Sequence, residues 1–145
     1  MQKVSVTAFI HANGKTLVVR RSADDDFLAG YYELPGGKVD FAEDPRLALK
    51  RELEEELGLK NCRVLSPYDL FSYVSADGIK QTVDIQFIVK AEDGAAIRLS
   101  AEHDDYRWIG REELDNFRFS AEMKNAIAKG FDILMGLDAS AEEKS

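Results

Sequence analysis

Three scarcities narrow what this chain can be. Cysteine occurs once, at Cys62, so no internal disulfide can form and a secreted, disulfide-stapled framework is excluded. A small buried thiol is its expected state. No apolar run approaches the roughly 20 residues of a membrane span, and the opening MQKVSVTAFIHANG alternates where a signal peptide would be continuously apolar. Positive charge is also short: 19 Lys and Arg face 27 Asp and Glu, for a net charge of -8. No nucleic-acid polymer is expected as a partner, because the chain is poorly suited to neutralising many phosphates, although a local basic patch still suits a small anion. The expectation is a soluble, reduced, cytoplasmic protein without membrane contact. Its 145 residues, 45% of them apolar, suffice for one domain with one core, expected over residues 1–137.

What the chain does contain is regular β patterning and one dense acidic helix. Val4, Val6, Ala8 and Ile10 alternate with other residues, Asn13-Gly14 follows, and Thr16 to Arg21 resumes a β-rich run, which is a hairpin signal. The polar stretch from Ser22 to Tyr32 reads as a loop leading into Leu34-Pro35-Gly36-Gly37. Asp44 as N-cap, Pro45 at the first helical position and Gly58 as stop delimit a helix. Arg63 to Leu65, Leu70 to Val74 and Thr82 to Val89 read as strands, with Asp77-Gly78 as the turn of a second hairpin. Tyr106 to Ile109 is a short strand and Arg111 to Asn116 a helical turn. Ser120 caps a last helix whose stripe is Met123, Ile127, Phe131 and Leu134, with Gly136 as a stop and 138–145 as a frayed tail. Hairpins mixed with long connections predict an α/β fold: a mixed, partly antiparallel sheet covered by helices.

Between Pro35 and Leu59 the chain carries seven carboxylates. Glu52, Glu55 and Glu56 stand at i, i+3, i+4 and so share one arc of a helix, while Leu49, Leu53 and Leu57 form the adjacent stripe that would fix its orientation. A solvated charged face satisfies this pattern. So does a site for a hard divalent cation, Mg²⁺ or Mn²⁺, which would relieve the repulsion and leave coordination positions for water and substrate phosphates.

The wider spacing separates the two readings. Gly37, five residues, Glu43, seven residues, Arg51-Glu52-Leu53, one residue, Glu55-Glu56, one residue, Gly58-Leu59 resembles the Nudix box at every fixed position. The preceding Leu34-Pro35-Gly36-Gly37 and the later strand around Trp108 also resemble MutT-type members. The resemblance implies an α/β/α sandwich and hydrolysis of a nucleoside diphosphate linked to another moiety. It implies a Mg²⁺ site of Glu52, Glu55 and Glu56 with a backbone carbonyl of Gly36 or Gly37, and Glu52 as the first candidate for the base. Glu43 and Arg51 would hold the loop to the helix and orient the carboxylates. Glu102, six residues before Trp108, matches a loop glutamate that reaches the metal in MutT-type members; an exposed loop acid is the competing reading.

For the substrate, Arg21 matches an arginine near the nucleotide, Arg20 and Lys38 could add charge, and Phe27, Leu28 and Tyr32 could stack on a base, although packing explains each as well. Ala121 stands where members specific for oxidised guanine carry an asparagine, and the proline that ADP-ribose hydrolases place downstream is absent near Val74-Ser75. The expected reaction is conversion of a nucleoside triphosphate, modified or not, to monophosphate and pyrophosphate. Hydrolysis of another nucleoside diphosphate derivative, such as ADP-ribose or a dinucleoside polyphosphate, and a non-catalytic nucleotide-binding module remain alternatives. A homodimer is left open.

Overall fold

The computed structural model of the chain describes residues 1–23 and 28–144, with side chains described as far as Gly136. In chain order the elements are β1 (Gln2–Ala12), β2 (Lys15–Arg21), β3 (Tyr32–Glu33), β4 (Gly36–Lys38), α1 (Pro45–Leu57), β5 (Cys62–Val74), β6 (Gln81–Ala91), β7 (His103–Ile109), a 3₁₀ turn (Arg111–Asn116) and α2 (Ala121–Lys144). Among the described residues no helix is long and apolar enough to cross a membrane.

All seven strands form one sheet. Its main path is β3-β2-β1-β6-β5, with β4 added to β1 and β7 to β2. Among the described residues only β1 and β6 run parallel; the other pairings are antiparallel, so the sheet is mixed as expected. One edge of β1 is continuously paired with β6 from Gln2 to His11. The opposite edge is shared: residues 11–12 pair with β2, whereas Ser5, Val6 and Thr7 pair with β4. The sheet therefore forks at β1, and the fork is where a cleft opens.

Helices cover both faces. Ala48, Leu49, Leu53 and Leu57 of α1 pack on Val6, Ala8, Ile10, Leu17, Phe87 and Val89. Ile127, Phe131 and Leu134 of α2 pack on Phe9, Val18, Ile88 and Ile109. This is the expected α/β/α sandwich, and it explains why Phe9 is as buried as its alternating neighbours Ala8 and Ile10: neither face of β1 meets water there. The leucine stripe of α1 is fully buried, and each such side chain contributes about 1.5–3 kcal/mol relative to exposure.

The local signals account for most boundaries. Asp44 Oδ1 accepts from the Arg46 N–H at 2.8 Å and the Leu47 N–H at 3.4 Å, capping α1, and Gly58 closes it with φ 65°, a left-handed conformation that glycine adopts without Cβ strain. Ser120 Oγ accepts from the Met123 N–H at 3.2 Å. Three boundaries differ from expectation, the first being β7, which begins at His103 rather than Tyr106. The pieces around Arg63 and Leu70 belong to one strand, β5, whose register shifts on either side of Pro67 because proline has no N–H to give to the ladder. The helical backbone of α2 continues through Gly136, and through residues 138–144 that were expected to fray.

Candidate functional site

The glycine pair sits where β4 joins β1, beside the inner turns of α1. An alanine Cβ at Gly36 would meet Val6 O at 2.0 Å, and one at Gly37 would meet the Glu52 carboxylate at 2.2–2.3 Å. The missing side chain of Gly37 is the space that Glu52 occupies. Arg51, on the adjoining face of α1, ties this arrangement together. Its Nε and Nη2 grip Glu43 at 2.8 and 2.9 Å, Nη1 reaches Glu52 Oε1 at 2.9 Å and Glu55 Oε2 at 3.3 Å, and Nη2 also donates to the Lys38 carbonyl at 3.1 Å. This forked contact, with a backbone hydrogen bond from Asp40, holds the Glu43 carboxyl down at about 2 and raises the guanidinium. The loop and the helix are thereby one unit.

Behind Glu52 lies Glu56, which is 6% exposed. Its Oε2 is buried without a hydrogen-bond partner. Burial first, then the charges of Glu102 and Glu52, push its carboxyl up to about 9. Burial likewise raises Glu52, against the pull of Arg51, with Glu55 and Glu102 adding repulsion. Glu102 is delivered by a strap. Arg98 N–H donates to Leu57 O at 2.8 Å and Ser100 N–H to Glu56 O at 2.9 Å, stitching the segment before β7 to the last carbonyls of α1. Ser22 N–H then donates to Glu102 O at 3.1 Å. Two elements distant in sequence thus fix the backbone of Glu102 beside α1.

Glu52, Glu56 and Glu102 line one end of a cleft of about 810 Å³, together with Gly36 and Gly37. Glu55 does not line it; at 60% side-chain exposure it lies on the outer flank of Arg51. Arg21 and Lys38 line the cleft, Arg21 bonded through Nε to Glu33 Oε2 at 3.1 Å. Arg20 does not line it. That side chain turns to Asp104 at 2.6 Å and lies 5.9 Å from the centre of the Tyr32 ring. Tyr32 lines the cleft at 9% exposure, its ring edge-on to Phe117 and Phe119 and its hydroxyl bonded to Asp105 at 2.6 Å, so packing holds most of the ring. Leu28 lines the cleft, whereas Phe27 lies outside the described residues.

The sequence did not disclose three acidic or basic groups at this site. Glu33 pairs with Arg21 and with His103 Nε2 at 3.0 Å and adds to the negative field at Glu56. Its place directly before Leu34-Pro35-Gly36-Gly37 was the available signal. Asp84, 3% exposed, lies on the cleft floor with Ser5 and Thr7; only the parallel β1–β6 register brings them together.

A loop-glycine cradle, a helix of aimed carboxylates and an arginine clasp now stand in one place, and comparison with known proteins supplies the family. The NUDIX domain family matches residues 1–130. The chain belongs to the Nudix family. It is 27% identical over 135 residues to the nucleoside triphosphatase NudI of Klebsiella pneumoniae (strain 342), covering 88% of this chain and 96% of that protein. A shorter stretch of 55 residues is 49% identical to the CTP pyrophosphohydrolase of Escherichia coli (strain K12), covering 38% of this chain and 40% of that one. Among solved structures, the MutT protein of Methanosarcina mazei Go1 superposes with a TM-score of 0.73 at 29% identity, covering 90% of this chain and 93% of that one. This Nudix chain is therefore a hydrolase of phosphoric anhydride bonds.

The acidic face of this Nudix hydrolase fits a divalent cation. The donors are hard carboxylate oxygens, one of them buried and unpartnered, and Gly37 leaves room beside them. Among the described residues no three acidic, histidine or cysteine side chains are gathered as a finished ligand group.

Proposed function

We propose that this Nudix hydrolase converts nucleoside triphosphates to nucleoside monophosphates and pyrophosphate in a Mg²⁺-dependent reaction, with Mn²⁺ as a substitute. The observation that carries the reading is the buried, unpartnered Glu56 oxygen between Glu52 and Glu102, at one end of a cleft whose other end is walled by apolar and aromatic side chains. One end suits a polyphosphate and the other a base. Two of the relatives compared above are named for nucleoside triphosphate and CTP hydrolysis, which supports the same substrate class.

Glu52, Glu56 and Glu102, with a carbonyl of Gly36 or Gly37, would hold the cation, and Glu55 would contribute from the flank. Bound there, Mg²⁺ would neutralise phosphate oxygens and make a water more acidic. Glu52 is assigned the water proton: it lines the cleft beside Gly37, and Arg51 fixes one of its oxygens. Arg21 and Lys38 lie where they can meet phosphate charge. Arg51 and Glu43 act as positioning residues, and Arg20 has no part in this assignment.

A panel of ribo- and deoxynucleoside triphosphates, oxidised forms, ADP-ribose and a dinucleoside tetraphosphate, each with Mg²⁺ and with product identification, tests the proposal. Turnover confined to triphosphates with release of pyrophosphate supports it. Turnover confined to ADP-ribose or the dinucleoside compound would replace it with one of the alternative substrate classes.

A further inference from the structure

The cleft has a second polar cluster, away from the α1 carboxylates and not used by the hydrolytic chemistry. Asp84 on β6 is flanked in register by Ser5 on β1 and by Phe71 on β5. Ser5 Oγ donates to Asp84 Oδ1 at 2.5 Å, and Thr7 Oγ1 donates to Oδ2 at 3.0 Å. Gln86 spends its amide group on the same residue, Nε2 donating to the Asp84 carbonyl at 3.1 Å and also to Oδ2. Every donor of the cluster is directed at Asp84. A hydroxyl has a single hydrogen, so once Ser5 and Thr7 have given theirs to Asp84 each can only accept from a ligand. Asp84 Oδ1, with one donor, retains acceptor capacity as well. The floor is thus an acceptor surface.

Aromatic and apolar groups surround it. Phe71 and Tyr73 line the cleft with ring centroids 6.2 Å apart, and Leu34 and Met123 line it too. A flat heterocycle is the shape that such walls hold. Lys3 and Thr82 lie two residues along their strands from Ser5 and Asp84, beside Tyr73 rather than beside Phe71.

We infer that Ser5, Thr7 and Asp84 read the nucleobase of the substrate, and that they favour bases carrying an exocyclic amine over bases carrying a carbonyl at the same position. The inference rests on the proposed nucleoside triphosphate activity and names its preferred class. An amine donates two hydrogens into acceptors that otherwise lose water without replacement. A carbonyl places its lone pairs against theirs. Sites that hydrogen-bond one partner reject the other because buried polar groups are then left unpaired. Asp84 acts partly through the two hydroxyls, by holding their hydrogens away from the ligand.

The experiment compares kcat/KM for CTP with UTP and for ATP with ITP, pairs that differ at the position in question, in the wild type, Asp84→Asn and Ser5→Ala. The wild type should favour the amino member of each pair by about 10-fold or more, the scale of one good hydrogen bond. Asp84→Asn introduces a donor at nearly constant shape and should lower the CTP/UTP ratio by at least that factor, whereas damage to the fold would lower both values together. Ser5→Ala should lower the ratio by a smaller factor and settles the matter if Asp84→Asn does not fold. Equal kcat/KM within each pair for the wild type, or ratios unchanged in folded variants, overturns the inference. Calorimetric binding of CMP against UMP needs no turnover. A CMP preference in a protein without triphosphatase activity would uphold the base reading and defeat the hydrolase reading; equal binding with active hydrolysis would do the reverse.

Discussion

The Cβ that an alanine would bring to position 37 falls 2.2 Å from the carboxylate carbon of Glu52. The loop glycine and the helix glutamate therefore share one space, and the absence of a side chain from the first is what admits the second. Gly37→Ala should displace Glu52 with little damage to the fold, since the clash is with the end of a flexible side chain and the backbone is not left-handed there. We expect kcat/KM to fall at least about 100-fold, the scale of misplacing a group at the reacting centre, with a melting temperature within a few degrees of wild type. Gly36→Ala should behave differently, because its Cβ meets backbone of β1, Val6 O at 2.0 Å and Thr7 Cα at 2.7 Å. A lower melting temperature for position 36 and lost activity at unchanged melting for position 37 check the distinction.

Arg51→Lys should lower affinity for Mg²⁺ by about 10-fold, the usual cost of removing a group that orients metal ligands. Lysine cannot reproduce contacts to Glu43, Glu52 and Glu55 from one head group. The same substitution should release the Glu43 carboxyl from about 2 toward ordinary values. A depressed carboxyl stabilises the fold above its unfolded value and loses that contribution as pH falls through its folded value. The stability difference between wild type and Arg51→Lys should therefore shrink as pH drops from about 4.5 toward 2, measured by chemical denaturation, while metal affinity is followed by calorimetry.

Glu56→Gln should make the metal-free protein more stable while reducing turnover. Burial and the neighbouring acids raise the Glu56 carboxyl to about 9, so ionising it costs the folded state more than the unfolded one. The sign is the reverse of Glu43: folding is favoured below about 4.5, and the advantage is lost as pH rises toward 9. Glutamine does not ionise. Its stabilising effect should grow across that interval in chelator and diminish when Mg²⁺ is added. Thermal melts of both proteins at pH 5, 7 and 8.5, with and without chelator, measure this; equal shifts at every pH would remove Glu56 from the charged cluster.

Glu102→Gln should lower kcat by much more than it raises KM, because a carboxylate recruited with the substrate-bound cation acts in the transition state. An exposed loop acid would yield only a small effect that fades with salt. Kinetics of Glu102→Gln and Glu102→Ala at low and high ionic strength decide between them. Near wild-type turnover in both would leave the chemistry to α1.

Much of this arrangement was legible locally. Asp44, Pro45 and Gly58 delimit α1 by their own capping chemistry, and the spacing of Glu52, Glu55 and Glu56 places them on one helical arc. The link from Arg51 to Glu43 also followed from position, since loop and helix are adjacent in sequence. What was hidden depends on long-range pairing. Asp84 meets Ser5 only through a parallel register spanning 79 residues, and a lone Asp in a strand carries no mark of its partner. Tyr32, expected from the sequence as a stacking residue, does line the cleft, but the edge-on contacts of Phe117 and Phe119 that hold its ring come from a distant segment that local sequence does not reveal. Arg20 and Arg21 alternate across the strand, so only one can face the cleft, and charge alone did not say which. Glu55 shares an arc with Glu52 but lies beyond Arg51, a distinction of one side-chain layer that helical spacing does not resolve.

In the proposed reaction the α1 carboxylates, with a divalent cation, open the bond between the α and β phosphates of a nucleoside triphosphate. Phosphorus NMR of CTP incubated with wild type and with Glu52→Gln, in Mg²⁺ and then in excess chelator, tests it most directly. CMP and pyrophosphate should appear in equal amounts with wild type in Mg²⁺, stop on chelation, and fall by orders of magnitude in Glu52→Gln. Release of orthophosphate with CDP, turnover that persists in chelator, or a wild-type rate in Glu52→Gln would contradict it.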